Sequence, residues 1–118
     1  MWKLQFISVM QKDSNVIMVG WTTVSDKNDG RKLVNELLDL GLIACGQIGK
    51  SIESIYFWEG QKVTTEEYLV ILKFPQCKTK EISCKISTIH PYDTPQWVYK
   101  EMSSTNEFAQ WVNQIRKT

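Results

Sequence analysis

The stretch from Ile43 to Phe74 constrains the fold of this chain more than any other. It reads as two strands, 43–59 and 66–74, joined by a turn at Glu59-Gly60-Gln61-Lys62. Seventeen extended residues reach about 55 Å at about 3.3 Å each. A compact chain of 118 residues has a radius of gyration of about 13.5 Å and a diameter of about 35 Å. The first strand must therefore bend, at Gly46 or Gly49, or leave its own domain. Its far half carries Ile52, Ile55, Tyr56, Phe57 and Trp58, an apolar load that a lone hairpin cannot keep in water. A long uncovered strand edge invites pairing with another chain, so the hairpin predicts an obligate oligomer.

The segments on either side complete a β-α-β-β-α-β order. Val16–Val24 is apolar on both sides at its start, as a central strand would be. Ser25 and Asp26 open a helix, the first as an N-cap hydroxyl and the second as an acid in the first turn. Leu33, Val34, Leu37, Leu38 and Leu40 give this helix its apolar stripe, and Gly41 ends it at C′. Gly30 within it costs about 1 kcal/mol relative to Ala and suits close packing. Pro75 fits a first helical turn, Ile82, Ile86 and Ile89 follow at helical spacing, and Pro91 ends that helix by His90. Trp97–Met102 alternates like a short strand. Ser104-Thr105-Asn106-Glu107 has a capping-box pattern before Phe108, Trp111, Val112 and Ile115 on one helical face. With right-handed crossovers this order gives an α+β, ferredoxin-like sandwich: one antiparallel sheet with helices on one face, a C-terminal helix, and the long strand at an edge. Residues 16–118 form one domain, and 1–15 are an extension that forms either an added strand or a loosely held arm.

Composition removes several function classes. Fourteen basic and thirteen acidic residues leave a net charge of +1, which supplies no electrostatic reason to expect nucleic acid or an anionic membrane. The same strand order occurs in RNA-recognition domains, but there the third strand is basic and rich in glycine and aromatics; Glu66–Leu72 is acidic and aliphatic. The apolar run Met1–Met10 is broken by Lys3, Gln5 and Ser8 and reads as no signal peptide or membrane span. Three cysteines with no C-x-x-C pair argue against a disulfide scaffold and fit a reducing cytoplasm. Cys77 and Cys84 on one helix would lie about 10.5 Å apart, too far to bridge.

Five segments in order, Thr22-Thr23-Val24-Ser25-Asp26, Leu42-Ile43-Ala44-Cys45, Ile55-Tyr56-Phe57-Trp58-Glu59-Gly60, the Glu67 to Lys73 strand, and His90-Pro91-Tyr92-Asp93-Thr94-Pro95, resemble the divalent-cation tolerance protein CutA family. The resemblance runs from about Val16 to Trp111. It implies a PII-like homotrimer whose long hairpins join neighbouring sheets, a cytoplasmic setting, and a role in tolerance of copper or other divalent metals. Three departures from the family pattern stand out. Gly46-Gln47 replaces a Val-Asn type pair, and Gln96 replaces a Glu. Thr22 and Ile89 stand where members proposed to ligate copper have Cys and His.

The candidate cleft residues are Cys45, Trp58, Glu59, Glu67, Lys73, His90 and Tyr92. His90, the only histidine, offers a metal ligand or proton carrier, against the plainer role of bonding the last helix carbonyls. Cys45 offers a thiolate, against that of a small buried hydrophobe. Lys73 on a central strand needs a partner, and Glu67 or Glu59 of the same or a neighbouring chain is expected to supply it. Tyr56 and Trp58 read as interface anchors, and Trp2, Trp21, Trp97 and Trp111 as packing residues. No nucleophile-base pair, phosphate-cradling loop or H-E-x-x-H appears. The expected function is a non-enzymatic trimer of metal-ion response needing no cofactor, with a metal or small ligand at the inter-subunit clefts. The alternatives are a PII-like signalling scaffold without metal and an enzyme using His90 or Cys45.

Overall fold

The computed structural model describes residues 15–114; residues 1–14, with Trp2 and the expected strand or arm, and Ile115 lie outside the described residues. The elements are β1 (Val16–Val24), α1 (Lys27–Asp39), β2 (Cys45–Trp58), β3 (Gln61–Phe74), a 3-10 turn (Gln76–Lys78), α2 (Thr79–Ile89), β4 (Val98–Ser103) and α3 (Asn106–Asn113). The strands form one antiparallel sheet in the order β2-β3-β1-β4, the ferredoxin-like arrangement with β2 at one edge. Just before β1, the Asn15 carbonyl accepts from the Ser104 N–H at 2.7 Å.

Alternation along β1 sends side chains to two separate cores. Met18 and Val24 join Val70, Leu72 and Phe74 of β3 beneath Leu33, Val34 and Leu37 of α1 and Ile82 and Ile86 of α2. Ile17 and Val19 point the other way and meet Ala109 and Val112 of α3. The final helix thus lies on the face opposite α1 and α2. Only Ala109 and Val112 of it are buried, whereas Phe108 and Trp111 are exposed and stack on each other at 5.8 Å. The expectation that those two aromatics pack inward is corrected.

The helix ends follow local chemistry. Asp26, not Ser25, is the N-cap of α1, its carboxylate accepting from the Asn28 N–H at 2.7 Å. At the other end Gly41 has φ +71°. The Gly41 N–H donates to the Leu38 carbonyl and the Leu42 N–H to that of Leu37, a Schellman motif whose hydrophobic pair, Leu37 and Leu42, is buried. The capping box expected at Ser104 does not form: Thr105 is the N-cap of α3, with no side-chain cap bond.

The hairpin both bends and leaves the domain. A register shift between Ile48 and Ser51 places the bend at Gly49 rather than Gly46. Beyond it the ribbon runs out until the molecule measures 62 × 32 × 24 Å with a radius of gyration of 16.9 Å. The turn is tighter than expected, two residues rather than four, and β3 begins at Gln61 instead of 66. Glu59 and Gly60 both have positive φ, +51° and +79°, the requirement of a type I′ turn. Ile55 and Phe57 on the projecting part are 61% and 71% exposed.

Candidate functional site

The C-terminal end of β1, one face of the projecting hairpin and the loop after α2 enclose a cleft of about 490 Å³. β1 contributes Thr23 and is followed by Ser25; β2 contributes Tyr56 and Trp58, β3 contributes Thr65 and Glu67, and the loop brings Tyr92 and Asp93 through Gln96. The β2–β3 register sets Ile52 opposite Glu67, Ser54 opposite Thr65 and Tyr56 opposite Val63. Directly opposed residues share a face, so hydroxyls, the carboxylate and the aromatics reach the cleft together.

Glu67 is the chemical centre of the cleft. It is only 7% exposed, and the Tyr92 hydroxyl donates to its Oε2 at 2.7 Å. Burial alone would raise its pKa, but hydrogen bonds from the Ser54, Tyr92 and Thr23 side chains outweigh that and hold it below its usual 4.5. Burial and the adjacent carboxylate push the Tyr92 phenol well above its ordinary value. A buried anion is therefore solvated by neutral donors, and the phenol stays protonated as one of them.

His90 stands behind this pair, at the C-cap of α2. Its Nδ1 accepts the Tyr92 N–H at 3.0 Å. Nε2 lies 2.9 Å from the Thr23 carbonyl and 3.0 Å from Thr22 Oγ1. A backbone N–H can only donate and a carbonyl can only accept, so the proton sits on Nε2 and the ring is neutral. A second proton on Nδ1 would confront the Tyr92 N–H. Burial lowers its pKa below 6.5 in agreement, against the opposing pull of the Thr23 carbonyl, Asp29 and Glu67. His90 thus pins the cleft loop to the end of β1 through its ring, while its backbone N–H bonds the Ile86 carbonyl of the last helical turn at 3.1 Å, and both ring nitrogens are committed.

The structure divides the candidates expected from sequence. Trp58, Glu67 and Tyr92 line one cleft with His90 behind them. Glu59 occupies the hairpin turn outside that lining. Cys45 and Lys73 are register partners at the far end of β3, about 20 Å from Glu67 along the strand. Lys73 lies 5.6 Å over the Phe108 ring, beside a separate hollow of about 350 Å³. It pairs with no carboxylate among the described residues, so the expected partners Glu67 and Glu59 of its own chain are corrected to an aromatic face. His90 and Cys45 likewise do not share a site, and among the described residues no three His, Cys, Asp or Glu side chains converge as metal ligands. With both imidazole nitrogens in use, these residues of a single chain do not fit a resident copper ion. Sequence reasoning missed Thr23, Ser25, Thr65 and Asp93. Thr65 was hidden because polar Gln61–Thr65 gave no strand signal, and Thr23 because its contact with His90 spans 67 residues.

A four-stranded antiparallel sheet with two helices on one face, one on the other and a projecting hairpin defines a PII-like α+β protein. The chain belongs to the CutA1 divalent ion tolerance protein family, whose model matches residues 18–115. The divalent-cation tolerance protein CutA of Thermococcus kodakarensis is 31% identical over 99 residues, covering 83% of this chain and 94% of that one. Among solved structures, CutA1 from Ehrlichia chaffeensis superposes with a TM-score of 0.78 at 35% identity, covering 81% of this chain and 91% of that one. A point variant of CutA1 from Pyrococcus horikoshii gives 0.80 at 27%, covering 86% and 99%. A CutA from Archaeoglobus fulgidus described as periplasmic gives 0.77 at 25%, covering 81% and 94%. No helix among the described residues is long and apolar enough to cross a membrane.

Proposed function

We propose that this protein is a non-enzymatic homotrimer of the divalent metal-ion response, with a ligand-binding cleft beside each subunit junction. The observation that carries the reading is the projecting hairpin, which holds Ile55 and Phe57 in water and leaves the outer edge of β2 unpaired among the described residues. Among the described residues the sheet has a second open edge at β4, where Val98, Tyr99 and Met102 are exposed. Pairing β2 of one chain with β4 of the next is heterologous, and such contacts close into rings rather than two-fold dimers. Three subunits is the closure that the family resemblance implies. Free thiols at Cys45, Cys77 and Cys84 suit a reducing cytoplasm.

The committed imidazole of His90 favours the second reading, a PII-like scaffold whose response to metal does not depend on copper at that residue. Light scattering at micromolar concentration tests the assembly: a mass three times the 13.7 kDa chain supports it, and a monomer refutes it. Titration with Cu²⁺ and Zn²⁺ of the protein and of His90→Ala and Cys45→Ala tests the metal role. Equal heats in all three place any bound metal away from both residues.

A further inference from the structure

The cleft holds negative charge that no cation among the described residues balances. Glu67 is buried and bonded by hydroxyls, Asp93 lines the same cleft exposed to solvent, and no Lys or Arg contributes to the lining. The neighbouring imidazole is neutral by its hydrogen bonds. Tyr56 and Trp58, 40% and 51% exposed, form an accessible aromatic wall, and the hydroxyls of Thr23, Ser25 and Thr65 add acceptors.

These features select among ligands. An anion would find no charged donor. Ca²⁺ or Mg²⁺ needs about six or more oxygen ligands, and Zn²⁺ or Cu²⁺ prefers imidazole or thiolate. But no three His, Cys, Asp or Glu side chains converge among the described residues, no thiol lines the cleft, and both nitrogens of His90 are bonded. A cleft of about 490 Å³ falls within the roughly 300–1,000 Å³ typical of small-molecule sites. An alkylammonium group suits all of it, since it donates to carboxylate and hydroxyl oxygens and is attracted to aromatic faces.

We propose that the cleft binds a small primary alkylammonium ion, and a short diamine above all. Glu67 takes one ammonium group, Asp93 takes the other, and Tyr56 and Trp58 cover the methylenes between them. The inference rests on reading the cleft as a ligand site. Every residue named belongs to one chain, and the exposures are those of a single chain, so the inference requires that the cleft stay open beside the subunit junction.

Calorimetric titration of the intact protein with 1,4-diaminobutane tests it, with n-butylamine and 1,4-butanediol as singly charged and neutral controls. The diamine should bind at least tenfold more tightly than n-butylamine, and the diol should give no saturable heat. Glu67→Gln, which keeps an amide oxygen for the Tyr92 hydroxyl, should weaken the diamine at least tenfold. Asp93→Asn, at an exposed loop position that folding tolerates, should bring the diamine down to the n-butylamine level. Diol binding equal to the diamine, or diamine binding unchanged in both variants, overturns the proposal. Saturable Cu²⁺ binding lost in Glu67→Gln, with the diamine silent, overturns it while keeping the cleft as a site. If neither probe binds, both readings fall; if Glu67→Gln then also lowers the oligomer mass, a neighbouring subunit fills the cleft.

Discussion

Tyr92 donates its phenolic proton to Glu67 across 2.7 Å, and that bond fastens the loop after α2 to the base of the hairpin. The same Tyr92 residue donates its backbone N–H to His90, which in turn holds the Thr23 carbonyl. One side chain and one amide thus connect three separate segments around the cleft.

Removing the hydroxyl should leave a buried carboxylate short of a donor. Hydrogen bonds to charged groups contribute about 1.5–3 kcal/mol, so Tyr92→Phe should lose stability in that range. Urea unfolding checks the size. A rise in the Glu67 carboxyl pKa, followed by NMR, checks the cause.

His90 predicts a pH dependence of definite sign. Its folded pKa is depressed, so between the folded value and about 6.5 the unfolded chain binds more protons and stability rises with pH. The contribution is present above about pH 6.5 and is lost as pH falls through the folded value. Glu67 is also depressed below 4.5, so its contribution is lost only in more acidic solution. In His90→Asn, whose amide oxygen can accept from the Tyr92 N–H, the decline starting near pH 6.5 should vanish and the more acidic one remain. Denaturation midpoints measured from pH 8 to pH 3 separate the two limbs.

Gly20 and Gly49 give a contrasting pair. A Cβ on Gly20 would fall 2.2 Å from the Trp97 ring, which is also fixed by its indole N–H donating to Ser83 and by packing on Phe74. Overpacking of this kind costs about 1–3 kcal/mol, so Gly20→Ala should destabilise by that amount and alter tryptophan fluorescence. At Gly49 the nearest atom to an added Cβ is 3.5 Å away. Gly49→Ala should stay within about 0.5 kcal/mol of the parent. Thermal unfolding of both variants decides.

Phe57 should matter to assembly and not to the fold of the chain. It is 71% exposed on the projecting ribbon and touches neither core cluster. Phe57→Lys should lower the mass seen by light scattering while leaving the far-ultraviolet circular dichroism unchanged.

The parts of the fold that were legible in the sequence are those governed by local pattern. A run apolar on both sides marked β1, Gly41 marked the end of α1, and Pro91 the end of α2. The hairpin was legible through its apolar load, but its return strand was not. Gln61 to Thr65 form β3 because β2 pairs with them, and pairing leaves no hydrophobic trace. Phe108 and Trp111 carry a helical period that reads as buried. Ala109 and Val112, one position further on in each case, take the inward face instead. In the cleft, Glu67 and Tyr92 were recognisable as residues of interest, but the bond between them spans 25 positions. Nor does any local signal reveal that Lys73 rests on Phe108 and not on an acid.

The central claim is that the outer edge of β2 finds its backbone partners on a sister molecule. Amide hydrogen exchange along residues 51–58 tests this most directly, because alternate N–H groups there do not bond to β3. If the account is right, those outward amides exchange as slowly as the inward ones at working concentration, and speed up in Phe57→Lys. Exchange of the outward amides near the rate of an unstructured peptide, with the inward ones protected, would contradict it.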